Sequence, residues 1–332
     1  MPDETEKGKE LTRTKNRCNG HCHNATEKDF PSLLKIQLPM QRNSEILNEI
    51  LTGQWAMDFP NLLQLGHLFQ GIVKAGKENE RDPREGLTAL EFFNDDLQRI
   101  SPKSISEIPE GSVAFIKCIG PMMKYWSWWF VGADEIIAQL DFVNKIQNIK
   151  AIVLYIDGPG GAVSAINPFM EFAKRKKKPI VALCDNSLSL HRWIPDAIAD
   201  FQMADNTISG RFGSIGVVTS WYDLTKYYEE MGIVLEEVYP EESKHKNEFW
   251  RMYKEDKEKA KEFLRTTTLS PMAKEFQNAV KKAHPDLVEE EGVLTGRTFL
   301  ASDAVRLNMI DRIGTKEDAM QMALALAEMS NY

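Results

Sequence analysis

The stretch Ala151–Ala165, AIVLYIDGPGGAVSA, decides the fold. Its opening AIVLYI is apolar almost without a break, which is typical of a buried strand in a parallel sheet. Asp157–Gly161 then supplies a sharp turn, and a helix is predicted from about Ala162 to Lys177. Glycine N–H groups beside the start of a helix can hold an anion, either a phosphate or an oxyanion. A plain strand-to-helix turn is compatible with the same pattern.

Strands and helices alternate outward from this stretch. Helices are predicted over Ala133–Ile146, before Ala199, and again beyond Tyr239 and from Pro271. Repetition of strand, crossover helix and strand predicts an α/β fold with a mostly parallel sheet covered by helices. The other predicted strands are Val113–Ile119, Ile180–Cys184, Phe201–Ala204 and Ile215–Ser220.

The chain before Ser112 has a different character. Its first part is charged and polar, as in a disordered arm. Two helices joined through Trp55 are expected next, followed by the charged linker Lys77–Gly86 and a short helix around Ala89–Ile100. The predicted organisation is a disordered arm (1–30), a helical N-terminal segment with linker (31–110) and an α/β domain with a helical C-terminal part (111–332).

Composition and charge restrict the function classes. The 332 residues are 42% hydrophobic and 27% charged, as in ordinary globular proteins. The 41 Lys and Arg against 49 Asp and Glu give a net charge of -8, which disfavours nucleic acid and anionic membranes as partners. Because no apolar run reaches about 18 residues, no membrane anchor is expected, and the predicted location is cytoplasmic.

Two short motifs lie outside the α/β pattern. The CNGHCH segment contains potential zinc ligands, but its spacing matches no standard zinc finger, so no metal is predicted. The cluster KYWSWWF at residues 124–130 is expected to pack between subunits rather than to contact a membrane. Neither motif implies a cofactor, and none is predicted.

Four blocks, in order, resemble the signatures of the signal peptide peptidase A family of serine peptidases. Within about residues 112–315 they are AIVLYIDGPGGAVSA, KPIVALCDNSLSLHRWI, ISGRFGSIGVV and VLTGRTFLASDAVRLNMIDRIGT. The resemblance implies the fold that this family shares with Clp protease subunits and crotonases, here behind a small helical N-terminal block. That N-terminal block, ILTGQWAMDFPNLLQLGHLFQGIVKAG, is similar to the helical segment preceding the domain in the phage and prophage branch.

The resemblance implies that Ser189 is the nucleophile. In the family this serine opens a helix after a strand that begins Lys-Pro, as KPIVALCDNSLSL does here. A slip of two positions in the alignment would select Ser187 instead. The neighbours depart from the family, which has Ala and Gly where this chain has Leu188, Leu190 and His191.

The family's general base is a lysine, whose pKa must fall towards neutrality for it to act. SKHKN resembles the family segment and points to Lys246, 57 residues after Ser189, with Lys244 as the near alternative. A Ser-His-Asp arrangement through His191 is disfavoured, because residues two apart on a helix do not face each other. Its third member would be Asp185 or Asp196.

Main-chain N–H groups are expected to form the oxyanion hole. The resemblance assigns them to Gly160 or Gly161 and to Leu190, the residue after the serine. Because the donor is backbone, leucine at this position is compatible with the role. The edge Ile156–Gly161 is expected to bind substrate by strand addition.

The prediction is therefore a serine endopeptidase with a Ser-Lys dyad, resembling phage and prophage head maturation proteases. Its expected substrates are scaffold or capsid polypeptides, and it is expected to act as a homo-oligomeric ring in the bacterial host cytoplasm or the procapsid. Two alternatives remain open. One is an assembly or scaffold protein that has kept the fold without the chemistry, and the other is a crotonase-like enzyme acting on acyl-CoA thioesters.

Overall fold

A computed structural model describes residues 54–57, 90–126 and 131–329. The predicted arm with its CNGHCH motif, both helices flanking Trp55, the charged linker and residues 127–130 of the tryptophan cluster lie outside these ranges. The boundaries at residues 30 and 110 stay predictions.

The strands of the described part form two sheets. In the larger one the order is β12-β11-β9-β7-β4-β2-β3, and β10 pairs with β9 and β13. Neighbours among β4, β7, β9, β10, β11 and β13 pair in parallel, which confirms the predicted mostly parallel sheet. The smaller sheet has the order β1-β8-β5-β6. The strands are β1 (Trp55–Met57), β2 (Leu90–Phe93), β3 (Arg99–Ile100), β4 (Ser112–Ile119), β5 (Met122–Met123), β6 (Val131–Gly132), β7 (Ile149–Gly158), β8 (Gly160–Ala162), β9 (Ile180–Leu188), β10 (Phe201–Ala204), β11 (Arg211–Gly213), β12 (Thr298–Leu300) and β13 (Arg312–Ile313).

Helices cover both faces of the larger sheet. On β4, Ala114 and Ile116 face one apolar core and Val113 and Phe115 face the other, because successive strand side chains point to opposite faces. The first core is completed by α1, α2, α3 and α7, and the second by α9. No helix within the described ranges is long and apolar enough to cross a membrane. The helices are α1 (Ala133–Lys145), α2 (Ile166–Ala173), α3 (Leu190–Ile198), α4 (Thr225–Glu230), α5 (Glu248–Glu255), α6 (Lys257–Leu264), α7 (Ser270–Ala283), α8 (Ala301–Arg306) and α9 (Lys316–Met329).

The helix predicted around Ala89–Ile100 is wrong. These residues form the hairpin β2–β3, in which Phe92 pairs with Ile100, and β2 also pairs with β4. Pairing at the edge of the sheet buries Phe92 and Phe93, and Asn94 accepts the N–H of Leu97 at the turn. The sequence NDD is a turn signal, and tertiary pairing outweighs the helical spacing of the apolar residues.

The strand predicted at Ile215–Ser220 is displaced. The strand beside β9 is β11, which ends at Gly213. Gly213 and Ser214 have φ values of 115° and 54°, and this turn carries the chain out of the sheet. Beyond it only Val218 forms a β-bridge among the described residues of that stretch.

Candidate active site

Ser189 lies at the junction between β9 and α3, at the carboxyl end of a parallel strand. Its backbone angles, φ 55° and ψ -116°, are rare for any residue other than glycine. The N–H of Ser189 donates to the Gly213 carbonyl at 2.9 Å, and its own carbonyl accepts from Arg192 and Trp193 at 2.9 and 3.0 Å. Its side chain makes no capping bond to α3. Such a conformation costs about 1–3 kcal/mol and is concentrated at functional sites.

The glycine turn after β7 packs directly against the start of α3. A Cβ at Gly158 would collide with the His191 ring, and one at Gly161 would meet the Leu190 side chain. Asn186 near the end of β9 donates to Asp157 at 2.8 Å, which ties the turn to the strand leading to Ser189. The absence of Cβ atoms in the turn thus permits the close approach of the segments that carry the predicted oxyanion donors.

His191 occupies one of those predicted donors. The Gly160 N–H donates to Nδ1 of His191 at 3.1 Å. The ring is fully buried, and within the described structure its Nε2 has no hydrogen-bond partner. Burial lowers the pKa of His191 to about 4, so the imidazole is neutral at pH 7. Because Nδ1 accepts, the proton resides on Nε2.

The alternative serine has a different environment. Ser187 is fully buried within β9, and its hydroxyl donates to the carbonyl of His191 at 3.0 Å. Its backbone belongs to the strand and pairs with Phe212 of β11. This hydroxyl therefore helps to fix the start of α3.

Neither candidate lysine has the buried environment that a general base needs. Lys246 and Lys244 follow a short 3-10 turn before α5, and both are exposed. No hydrogen bond or ion pair joins either side chain to Ser189 in the described part of the chain. Burial lowers the pKa of Lys178, and its Nζ donates to the carbonyl of Ile146. Lys178 precedes the start of β9, however, whereas Ser189 follows the end of that strand.

The alternative Ser-His-Asp arrangement does not assemble. Asp196 has a fully buried side chain that accepts from Arg192 at 2.6 Å and from Gln202 at 3.0 Å, and it lies 3.1 Å from His284 of the α7 C-terminus. Asp185 accepts from Asn206 and Ser209 instead. The Asp196 group anchors α3 behind Ser189.

A feature missed by sequence reasoning is the contact of β1 with the glycine turn. Trp55, predicted only as a connection between helices, begins a strand that pairs antiparallel with β8. The alternation of large and small residues in Trp55–Met57 is too short to be a strand signal.

Comparison with known proteins gives matches to two peptidase family models. Residues 172–330 match the family model of peptidase family S49, and residues 131–185 match that of Clp protease. These matches support peptidase family S49. The Clp protease match fits the Clp/crotonase-like fold, and the fold expected from the sequence is confirmed.

Three curated relatives are proteases by name. The chain is 27% identical over 201 residues to "Putative protease MJ0651" of Methanocaldococcus jannaschii, covering 58% of this chain and 61% of that protein. It is 26% identical over 226 residues to "Serine protease SPPA, chloroplastic" of Arabidopsis thaliana, covering 64% and 31%. It is 26% identical over 213 residues to "Protease 4" of Haemophilus influenzae, covering 58% and 31%. The chain thus spans less than two thirds of each relative's length.

Proposed function

We propose that this protein is a serine endopeptidase in which Ser189 is the nucleophile and Lys246 the general base. The observation that carries the proposal is the strained backbone of Ser189, uncapped by its own hydroxyl, at a strand-to-helix junction beside a glycine turn. Similarity to named proteases favours this reaction over acyl-CoA chemistry.

In the proposed reaction, Oγ of Ser189 attacks the scissile carbonyl carbon while Nζ of Lys246 takes the hydroxyl proton. The oxyanion accepts hydrogen bonds from Leu190 and from Gly160 or Gly161. The C–N bond then breaks, and the lysine returns the proton to the leaving amine. Water then attacks the acyl carbon while the same lysine takes a proton from it, and this proton passes to Oγ of Ser189 as the bond between the acyl carbon and Oγ breaks.

The proposed base requires a second subunit. A lysine becomes a general base when removal from water or a neighbouring positive charge lowers its pKa towards neutrality, and an exposed position does not supply the first of these. The segment leading to Lys246 exposes large apolar side chains that a monomer would leave in water. Packing of this segment against another copy would bury them and desolvate the lysine, which supports a homo-oligomeric ring. These exposed side chains are Tyr222, Leu224, Tyr227, Tyr228, Met231, Ile233, Val234, Leu235 and Val238.

The proposed substrates are capsid or scaffold polypeptides of a phage or prophage, processed in the bacterial cytoplasm or the procapsid. This narrower assignment has its support in the N-terminal block around Trp55, which resembles the phage branch. The acidic balance of the chain agrees with a polypeptide partner rather than nucleic acid or an anionic membrane.

A second candidate function is an assembly protein that keeps the fold without peptidase activity. The hydrogen bond from Gly160 to His191 favours it, because that N–H is engaged rather than free for an oxyanion. The two candidates differ in whether any form of the protein cleaves a polypeptide.

Mass spectrometry of denatured casein incubated with the protein separates them. The proposal predicts new peptides with the parent protein and none with Lys246→Ala, while the matched exposed variant Lys244→Ala retains cleavage. Equal cleavage by both variants would contradict the role of Lys246. Absence of cleavage by the oligomeric parent protein would favour the assembly protein.

A further inference from the structure

The short strand β1 lies in a groove between two segments of the domain. The N–H of Trp55 donates to the Val218 carbonyl at 2.8 Å, and the Val218 N–H donates back to Trp55 at 2.7 Å. On the other side Trp55 pairs with Ala162, Ala56 with Gly161 and Met57 with Gly160. The Val163 N–H donates to the Gln54 carbonyl at 3.0 Å. Both backbone edges of the segment are therefore bonded.

This is how a bound peptide would sit in a strand-addition groove. An extended peptide bonds to a strand edge through its backbone, while alternate side chains enter separate pockets. The Ala56 carbonyl packs so tightly on Gly160 that a Cβ there would collide with it. Trp55, Ala56 and Met57 are 1%, 0% and 3% exposed.

The groove adjoins the proposed reaction centre. Met57 lies opposite Gly160, whose N–H contacts His191, and Gly161 lies against the side chain of Leu190. These two α3 residues directly follow Ser189. A peptide in the place of β1 would thus run in its N-to-C direction towards the glycine turn and the serine.

We propose that Gln54–Met57 is an internal peptide filling the substrate groove, and that an extended polypeptide binds by replacing it. The inference rests on the proposed function, because it takes the groove to be the substrate site of a peptidase. Its own claim concerns peptide binding and not cleavage. Trp55 and Met57 point to one side of the strand and Ala56 to the other, where it joins the main core. The groove therefore selects a small residue between two large apolar ones.

The binding test uses the full chain carrying Ser189→Ala, so that peptides remain intact. A fluorescein-labelled peptide GQWAMD, the sequence of residues 53–58, is titrated and its anisotropy is measured. Adding Ala56→Glu to the protein places a charge in the core-facing position and expels the internal segment. We expect this second protein to bind the peptide at least tenfold more tightly than Ser189→Ala alone. The control peptide GQWEMD should bind neither protein.

Hydrogen exchange of the parent protein tests the inference without relying on a substituted fold. The Trp55 and Val218 N–H groups should exchange at least tenfold faster than those of Val113–Ile116 in β4, because a replaceable segment opens locally. Exchange of both regions at one common rate would identify β1 as a permanent strand and overturn the proposal. Failure of GQWAMD to bind a folded Ala56→Glu protein would overturn it too.

These outcomes are independent of catalysis. If GQWAMD binds but the parent protein cleaves no polypeptide, the internal-peptide proposal is supported and the peptidase proposal is contradicted. If the parent protein cleaves casein but GQWAMD neither binds nor competes, the peptidase proposal is supported and the internal-peptide proposal is contradicted.

Discussion

The amide of Gly160 donates a hydrogen bond to Nδ1 of His191 over 3.1 Å, although the two residues are 31 positions apart. The bond joins the glycine turn to the helix that follows Ser189. It engages an N–H that the peptidase proposal assigns as one possible oxyanion donor.

Replacing His191 by alanine should release this donor. An oxyanion donor is worth about 10²–10³ in rate, so we expect His191→Ala to increase kcat on labelled casein by at least tenfold. His191→Asn is the matched control, because its side-chain oxygen is an acceptor that can keep Gly160 engaged. A kcat that falls in a folded His191→Ala protein and is retained in His191→Asn would show that the ring positions the turn for catalysis.

The same ring makes stability depend on pH. Its pKa is about 4 in the folded protein and about 6.5 in an unfolded chain, so the unfolded state binds more protons between these values. Stability is therefore lost as pH falls from 6.5 towards 4. From pH 7 to pH 5 the loss should be about 2 kcal/mol larger in the parent protein than in His191→Asn. Urea unfolding at both pH values measures it, and equal losses in the two proteins would contradict the buried neutral imidazole.

The backbone of Ser189 should respond to glycine more favourably than to alanine. Glycine adopts positive φ without a Cβ penalty, whereas alanine keeps the strain. We expect Ser189→Gly to unfold at a free energy about 1 kcal/mol higher than Ser189→Ala, after the entropy cost of glycine. Denaturant unfolding gives both values. A less stable glycine variant would mean that the turn is unstrained.

The buried pair of Arg192 and Asp196 should be a major stabilising contact of α3. Both side chains are fully buried, so Asp196→Ala leaves an uncompensated guanidinium and should cost about 3–5 kcal/mol. Asp303→Ala breaks a comparable but exposed pair with Arg306 and should leave the unfolding midpoint nearly unchanged. Similar midpoints for the two variants would show that water or His284 compensates Arg192.

The central sheet was predictable because burial on both faces leaves a local signature. The apolar runs of β4 and β7 follow from it, and β10 lies where a short strand was predicted. The hairpin β2–β3 was not predictable in this way. The spacing of its apolar residues, which include Phe92 and Phe93, is compatible with a helix, and the strand depends on pairing with β4. A local sequence pattern therefore predicts an element only where tertiary pairing does not favour a different secondary structure.

The candidate site likewise has parts that the sequence predicted and contacts that it did not. The order and spacing of sequence blocks pointed to Ser189 and the glycine turn. The contact of His191 with Gly160 and the strand pairing of Trp55 with Ala162 join residues far apart in the chain, and no local spacing encodes them.

The central claim is that Ser189 is the nucleophile, and the rate of casein cleavage by two serine variants tests it most directly. Both serines lie at the end of β9, but only Ser189 has the strained backbone, while Ser187 donates to the His191 carbonyl. The account predicts that Ser189→Ala lowers kcat by about 10³ or more and that Ser187→Ala, once its folded fraction is matched, retains activity. Cleavage that survives Ser189→Ala and disappears in folded Ser187→Ala would contradict it.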